Sequence, residues 1–99
     1  MSKTKTRPYD AATYLQSEED CALYLQASID EADGDPSIIV AALGDIARAR
    51  GMMQLANETG LSRKGLYKAL SPEGNPSFAT IAKVIKALGL RLHASPVKH

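Results

Sequence analysis

The sequence predicts a single all-α domain of about five helices with a short β-strand at its C-terminal end. Ninety-nine residues allow one hydrophobic core and not two. Apolar residues recur at helical spacing along most of the chain, and glycines or prolines separate these segments. We divide the chain into a flexible basic arm, residues 1–8, and one domain, residues 9–99. Within the domain we expect acidic helices over residues 9–35, further helices over residues 36–89 and the strand over residues 90–95.

Composition excludes several classes of protein. The apolar share of 44% and the charged share of 23% are close to those of globular domains. The longest uninterrupted apolar run, residues 38–43, is far shorter than the roughly 20 residues that cross a bilayer. Cys21 is the single cysteine and the chain does not begin with an apolar signal segment, so we expect a cytoplasmic protein without disulfides. No metal-ligand spacing is present, and we expect no metal and no cofactor.

The first long helix is acidic. Ser17 followed by three acids at residues 18–20 is typical of a helix start, because a hydroxyl caps free amides and negative charge favours that end. We expect the helix to extend to about residue 33. Its core-facing stripe comprises Cys21, Tyr24, Leu25, Ser28, Ile29 and Ala32. Cys21 is therefore interpreted as a core residue and not as a reactive thiol.

Four further helices are predicted in order. Asp35 and Pro36 indicate the start of the second helix, which ends before Gly51. Its buried side comprises Ile39, Ala42, Leu43, Ile46 and Ala47. Two short helices follow over residues 52–59 and 62–70, separated by Gly60, and the last helix covers residues 77–88. We expect the last helix to bury Phe78, Ile81, Ala82, Ile85 and Leu88.

The tail alternates apolar and polar residues, which is typical of a strand. A lone strand needs a partner for its backbone groups, and no other segment has the pattern of a strand. We therefore expect the tail to pair with its copy in a homodimer, with Leu90 and Leu92 at the contact. The alternative is an extended tail that packs on the helices or is solvated.

The segment MMQLANETGLSRKGLYKALS, residues 52–71, fits a helix-turn-helix. Leu55 and Ala56 are expected to face inward, Gly60 to form the turn, and Leu66 to seat the second helix on the core. The outward residues of that second helix are long hydrogen-bond donors and one aromatic, which suit phosphates and base edges in a DNA groove. The alternative is an interaction domain whose basic helix face is merely solvated.

Two sets of DNA contacts are predicted. The candidates for base contact are Ser62, Arg63, Lys64 and Tyr67. The candidates for phosphate contact are Gln54, Lys68, Asn75 and Ser77, of which the last two precede a helix with free amides. Tyr67 could equally pack along the edge of the core.

Charge is sorted along the chain although the net charge is only +1. Residues 2–7 carry three basic side chains, residues 8–35 carry eight acids without Lys or Arg, and residues 36–99 carry nine basic side chains and three acids. Such a split suggests two different partners. The alternative is that acidic and basic helices lie together and neutralise each other.

Residues 42–92, with the phrases IARARGM, GLSRKGLYKAL and SPEGNPSF, closely resemble addiction-module antidote proteins related to the HigA antitoxins, within the lambda-repressor-like (XRE) helix-turn-helix class. The upstream half resembles the same group, so the likeness covers about residues 9–94. It implies an all-α repressor-like fold, a cytoplasmic setting, a dimer on a palindromic operator and a cognate toxin similar to RelE-type ribonucleases. Met53, Lys64 and Gly65 depart from the usual pattern, which affects the expected operator sequence.

Two functional hypotheses follow. The first is an antitoxin that represses its own operon and covers a basic ribonuclease toxin with its acidic helix, because opposite charges favour that contact. The residues expected to bind the toxin are Asp20, Leu23, Asp30 and Glu31. The second is a helix-turn-helix repressor without a toxin partner. An enzyme is not expected, because the tail histidines have no neighbouring carboxylate pair.

Overall fold

The computed structural model describes residues 15–96 of the chain, and within them it contains five helices and no strand. Two predicted segments lie outside the described residues: the arm, residues 1–8, and the start of the acidic segment, residues 9–14. The helices are α1 (Glu18–Ala32), α2 (Pro36–Arg50), α3 (Met52–Thr59), α4 (Arg63–Ala69) and α5 (Phe78–Ala87). The all-helical prediction and the number of helices are confirmed. No helix among residues 15–96 has the length and apolar character needed to span a bilayer.

Short-range capping explains why the helices begin where they do. The N–H of Asp20 donates to Ser17 Oγ at 3.0 Å at the start of α1. Asp35 accepts from the N–H of Ser37 at 3.0 Å before α2, whose first residue is a proline. Ser62 and Ser77 cap α4 and α5 in the same way. Each cap satisfies an amide that has no partner inside the helix, so the local sequence alone sets these boundaries.

One hydrophobic core joins the five helices. The largest fully buried side chains include Leu43 and Ile46 of α2, Leu66 of α4 and Val84 of α5. Helix α1 packs on α2, and α3 contacts α2, α4 and α5. The short helices α3 and α4 are therefore held by the longer ones, since isolated helices of this length are marginal in water.

The inner side of α1 lies where the sequence predicts it. Cys21, Leu25 and Ala32 are buried, and the other three residues of the predicted stripe are half-buried. At the contact with α2 the hydroxyl of Tyr24 donates to Asp45 Oδ2 at 2.7 Å. Asp45 also pairs with Arg48 at 3.0 Å on the same helix. The acid in α2 thus fixes α1 in place.

The predicted buried face of α5 is partly wrong. Phe78 is 72% exposed and Ala82 is exposed, whereas Val84, which the prediction omitted, is fully buried. Ile81, Ile85 and Leu88 face the core as expected. Lys83 and Lys86 occupy the other side of α5, so the helix is amphipathic, and the predicted stripe is displaced around it toward Phe78 and away from Val84.

The predicted C-terminal strand is absent from the described residues. Residues 90–96 have no regular structure, and the N–H of Leu90 donates to the carbonyl of Ile85 at 3.0 Å. The tail instead lies beside α1, where Leu90 and Leu92 line a small cleft of about 90 Å³ together with Ala22 and Ile29. Residues 15–96 contain no second strand with which the backbone groups of the tail could pair. The structure shows the alternative prediction, an extended tail that lies on the helices.

Gly74 lets the loop after α4 fold closely over the end of that helix. A Cβ on Gly74 would collide with the backbone carbonyls of Lys68 and Ala69. We expect Gly74→Ala to lower the free energy of unfolding by about 1–3 kcal/mol, because backbone atoms cannot move aside as a flexible side chain does. Urea denaturation followed by circular dichroism measures this. The neighbouring exposed Glu73→Ala is the control, with an expected change within about 0.5 kcal/mol, and equal effects of both substitutions would contradict the explanation.

Candidate functional site

Helices α3 and α4 form a compact pair around buried aliphatic side chains. Leu55 and Ala56 of α3 are buried, Leu66 of α4 has no exposed surface, and Leu70 closes the pair after α4 ends. The small side chain of Ala56 permits close approach of the two helices. These inward positions are those that the helix-turn-helix pattern predicts.

The connection between the two helices is fixed by one glycine and one threonine. Gly60 has φ +78°, a left-handed conformation that suits glycine, and its N–H donates to the carbonyl of Ala56 at 3.0 Å. The hydroxyl of Thr59 donates to the carbonyl of Leu55 at 2.9 Å and accepts from the N–H of Leu61 at 3.3 Å. Leu61 packs against the core. The turn therefore sets the direction of α4 relative to α3.

The outward side of α4 is basic. We define the basic face as Arg63, Lys64, Tyr67 and Lys68, which are all exposed and of which Lys64 and Lys68 lie opposite Leu66 on the helix. Tyr67 is 44% exposed, so it belongs to this surface and not to the core. None of the three cations forms an ion pair with any residue in the described range 15–96. The basic face is thus an uncompensated patch of positive charge on a rigidly held helix.

Two predicted contact residues, Ser62 and Ser77, serve as helix caps. Ser62 Oγ accepts from the N–H of Gly65 at 2.9 Å. A serine hydroxyl keeps its own proton when it accepts, so Ser62 is still able to donate to a ligand beside the basic face. Ser77 Oγ accepts from the N–H of Thr80 and also donates to the hydroxyl of that residue, both at 3.2 Å. Both hydrogen bonds of the Ser77 hydroxyl are therefore made to Thr80 in the first turn of α5.

The other two predicted phosphate contacts lie apart from α4. The amide of Gln54 donates to Glu58 Oε2 at 3.3 Å on α3. Gln54 also borders a small cleft of about 170 Å³ with Glu18 and Arg50. Asn75 is exposed in the loop before α5 and lines a different, apolar cleft. Of the four predicted phosphate contacts, the structure places only Lys68 on the basic face.

A second surface lies on the outer side of α1. We define the acidic face as Glu19, Leu23, Gln26 and Asp30, which follow one another at helical spacing opposite the buried stripe. Leu23 is 71% exposed between the two acids, and the amide of Gln26 donates to Asp30 Oδ1 at 3.1 Å. The structure therefore brings Leu23 and Asp30 together, as predicted.

The remaining two predicted toxin-binding residues are about a quarter turn around α1 from the acidic face. Glu31 is exposed there. Asp20 is half-buried, and its carboxylate accepts from the backbone N–H of Gln16 at 3.3 Å. Asp20 thus helps to hold the chain that enters α1, whereas Glu31 extends the acidic surface.

Direct pairing between acidic and basic helices does not occur in residues 15–96. The one ion pair in this range joins Arg48 and Asp45 within α2. Arg50 points toward the start of α1, where it donates to the carbonyl of Gln16 at 3.4 Å. The acids of α1 therefore form no ion pair with the cations of α4 in the described residues, and both charges face solvent.

Cys21 is a core residue, as predicted. It is buried in the cluster between α1 and its neighbours. Burial raises the pKa of the Cys21 thiol, although the nearby Arg50 guanidinium opposes this by favouring the thiolate. The neutral thiol is the expected form at pH 7, which suits a packing role. Residues 15–96 contain no group of three or more His, Cys, Asp or Glu that could hold a metal ion.

The sequence prediction missed an apolar cleft at the start of α5. Its volume is about 660 Å³, and it lies between α2, α5, the loop before α5 and the tail. Phe78 projects at its rim, and this residue was assigned to the core because it falls on an apolar stripe. The available signal was its position in the first turn of α5, where a side chain can extend past the end of the core.

Comparison with known proteins identifies the family. A family described as "probable addiction module antidote protein" matches residues 5–96. An uncharacterized protein of Haemophilus influenzae is 53% identical over 85 residues, which are 86% of each chain. No solved structure matches the chain. The match extends across all five helices, including the acidic and basic faces. The chain belongs to the family of addiction module antidote proteins.

Proposed function

We propose that this antidote binds the operator DNA of its own operon through the basic face of α4 and neutralises a RelE-like ribonuclease toxin through the acidic face of α1. The observation that carries the DNA-binding part is the basic face itself. Arg63, Lys64 and Lys68 are exposed without an acidic partner in residues 15–96, on a helix seated by Leu66. The same proposal includes a cytoplasmic location, where both partners would be found.

In this proposal α4 enters the major groove of DNA. Its first turn carries Arg63 and Lys64, whose side chains reach base edges, while Lys68 one turn later reaches the phosphate backbone. A homodimer would place two copies of α4 about 34 Å apart, one turn of the double helix, on half-sites related by a two-fold axis. Repression follows because the bound dimer covers the promoter.

The toxin-binding part rests on charge and shape. A ribonuclease must attract RNA, so the surface around its active site is positive, and an acidic helix is complementary to it. The acidic face adds an apolar anchor, because Leu23 stands exposed between Glu19 and Asp30. Burial of Leu23 against a toxin would remove apolar surface from water, which stabilises the complex.

Substitution of two basic residues tests the DNA contacts. Arg63→Ala is expected to reduce the discrimination between operator and random DNA by about 1–3 kcal/mol, the value of a bidentate base contact. Lys68→Ala is expected to weaken all sequences alike and to lower the slope of log affinity against log salt by about 1. Fluorescence anisotropy with a fragment from the operon's own promoter, at several salt concentrations, measures both quantities.

A matched control is available on α5. Lys83 is exposed and lies on the opposite side of α5 from the core, so Lys83→Ala removes the same charge without touching the basic face. Its affinity, specificity and salt slope should stay close to those of the unaltered chain. Identical behaviour of Arg63→Ala, Lys68→Ala and Lys83→Ala would refute the assignment of the DNA surface.

The second candidate is a repressor without a toxin partner. It is favoured by the packing of α1, whose inner stripe is covered by α2, so that α1 completes the core whether or not its outer side binds anything. Co-expression with the neighbouring reading frame separates the two candidates. Co-purification of a small basic protein supports the antitoxin, and its absence supports the repressor.

A further inference from the structure

The apolar cleft at the start of α5 differs from the rest of the surface. Charged residues make up 23% of the chain, yet no Asp, Glu, Lys or Arg lines this cavity of about 660 Å³. Its walls come from the start of α2, the loop before α5, the start of α5 and the tail. The residues that matter below are Ile39, Val40, Pro76, Phe78 and Leu92. Apolar concave surfaces of this size mark binding sites more often than they mark plain surface.

A projecting side chain stands directly beside the cavity. Phe78 is 72% exposed and Leu92 is 42% exposed, and both line the cleft. The same surface patch therefore carries a projecting apolar side chain, Phe78, and an apolar cavity, the cleft. An interface between two identical chains about a two-fold axis requires a self-complementary patch, because the projecting side chain of each copy must fit the cavity of the other.

We propose that a second copy of this chain occupies the cleft, with Phe78 of each copy inserted into the cleft of its partner. The proposal deepens the proposed function, on which it rests for its consequence on DNA, by naming the surface through which the operator-binding dimer forms. Leu92, predicted from the sequence to lie at the dimer contact, belongs to this surface. Leu90 packs mainly on the core of its own chain.

The ends of the same chain are less suited to fill the cleft. Ala94 of the tail already lines it, and the residues after the described range include the polar Lys98 and His99. The described residues begin at Leu15, before α1, whereas Ile29, which lines the cleft, is near the other end of α1, roughly 20 Å away along the helix axis. Residues 2–7 also carry three basic side chains, for which the cleft offers no acidic partner.

The location of the cleft leaves the basic face free. Gly74, Asn75 and Pro76 of the loop after α4 line it, so a second copy would sit beside α4 and not on top of its outward side. Two copies joined there would keep both basic faces exposed, as simultaneous binding of two half-sites requires.

A pair of charge substitutions tests the proposal. Phe78→Asp places a charge at the projecting residue, and Leu23→Asp makes the same kind of change at an apolar residue of equal exposure, 71%, on the acidic face. The mass of the full chain in solution is measured over a range of concentrations by light scattering. We expect a dimer for the unaltered chain and for Leu23→Asp. For Phe78→Asp we expect a dissociation constant raised at least about 30-fold, the loss of one interface anchor.

Circular dichroism shows whether each variant folds. If Phe78→Asp does not fold, Leu92→Asp replaces it as the cleft substitution. A monomeric unaltered chain would overturn the proposal. A dimer that resists both cleft substitutions, or that Leu23→Asp disrupts equally, would overturn it as well. If the unaltered chain is a monomer that Phe78→Asp destabilises, the cleft is filled by the chain's own residues.

The DNA assay separates this proposal from the proposed function. A folded Phe78→Asp monomer should retain weak binding to a half-site and lose at least about 30-fold in affinity for the complete operator. An unaltered dimer that binds no operator at all would refute the DNA-binding function and leave the dimer surface standing. Full operator affinity in a chain that stays monomeric would refute the dimer surface alone.

Discussion

Leu66→Ala is expected to lower the free energy of unfolding by about 3–5 kcal/mol. Under conditions that unfold the variant, operator binding should be lost. Leu66 has no exposed surface and is the buried residue of α4, a helix of seven residues. Removing its side chain leaves a cavity under a helix that is too short to persist without packing. A loss of this size is a large part of the stability of a typical domain.

The adjacent Tyr67→Ala is the matched control. Tyr67 is 44% exposed on the basic face, so its removal should cost less than about 1 kcal/mol of stability while it weakens DNA binding. Urea denaturation and DNA anisotropy on both variants provide the comparison, with binding measured where each variant is folded. If Tyr67→Ala destabilises the chain as much as Leu66→Ala, then Tyr67 is a packing residue and the basic face loses its aromatic member.

Reversal of two acids on α1 is expected to weaken toxin binding at least about 100-fold. Asp30→Lys with Glu31→Lys turns two favourable contacts with a basic toxin into like-charge contacts, each of which costs several kcal/mol when juxtaposed. Both side chains are exposed, so the fold should not suffer. Asp20 is left unchanged because its carboxylate accepts from the N–H of Gln16 and thereby has a structural role. Calorimetric titration with the co-expressed toxin measures the loss.

Two controls accompany the reversal. Operator affinity of the double variant should not fall, since the acidic face is separate from α4. Glu73→Lys makes the same change of charge in the loop before α5, where no toxin contact is proposed, and it should bind toxin as well as the unaltered chain does. Equal loss of toxin and DNA binding in the double variant, or loss of neither, would reject the assignment of the acidic face.

Those parts of the fold that depend on local interactions were predictable from the sequence. Ser17, Asp35 and Ser62 cap helices because their side chains reach an amide two or three residues away. Gly60 ends α3 because few residues other than glycine adopt its backbone conformation readily. The basic face of α4 was partly predictable for the same reason, because helical spacing turns Lys64 and Lys68 away from the core once Leu66 is assigned to it.

The parts that depend on distant contacts were not predictable. Phe78 and Val84 lie at opposite edges of the apolar side of α5, so only the neighbouring helices decide that Val84 is buried and Phe78 exposed. The alternation in the tail is compatible with a strand, but a strand requires a partner, and one chain supplies none. Each of these differences arises from packing or pairing that the local sequence does not contain.

Within residues 15–96 the one ion pair, between Arg48 and Asp45, is exposed, which affects the response of the protein to its ionic surroundings. A pair of that kind contributes little to stability and is screened by salt. Folding of residues 15–96 therefore depends on apolar contacts that moderate salt hardly affects. Both proposed partners, in contrast, would be attracted by bare charges whose reach shrinks from about 30 Å at 0.01 M to about 8 Å at physiological ionic strength. A rise in ionic strength would thus weaken both proposed contacts while leaving the fold of the antidote intact.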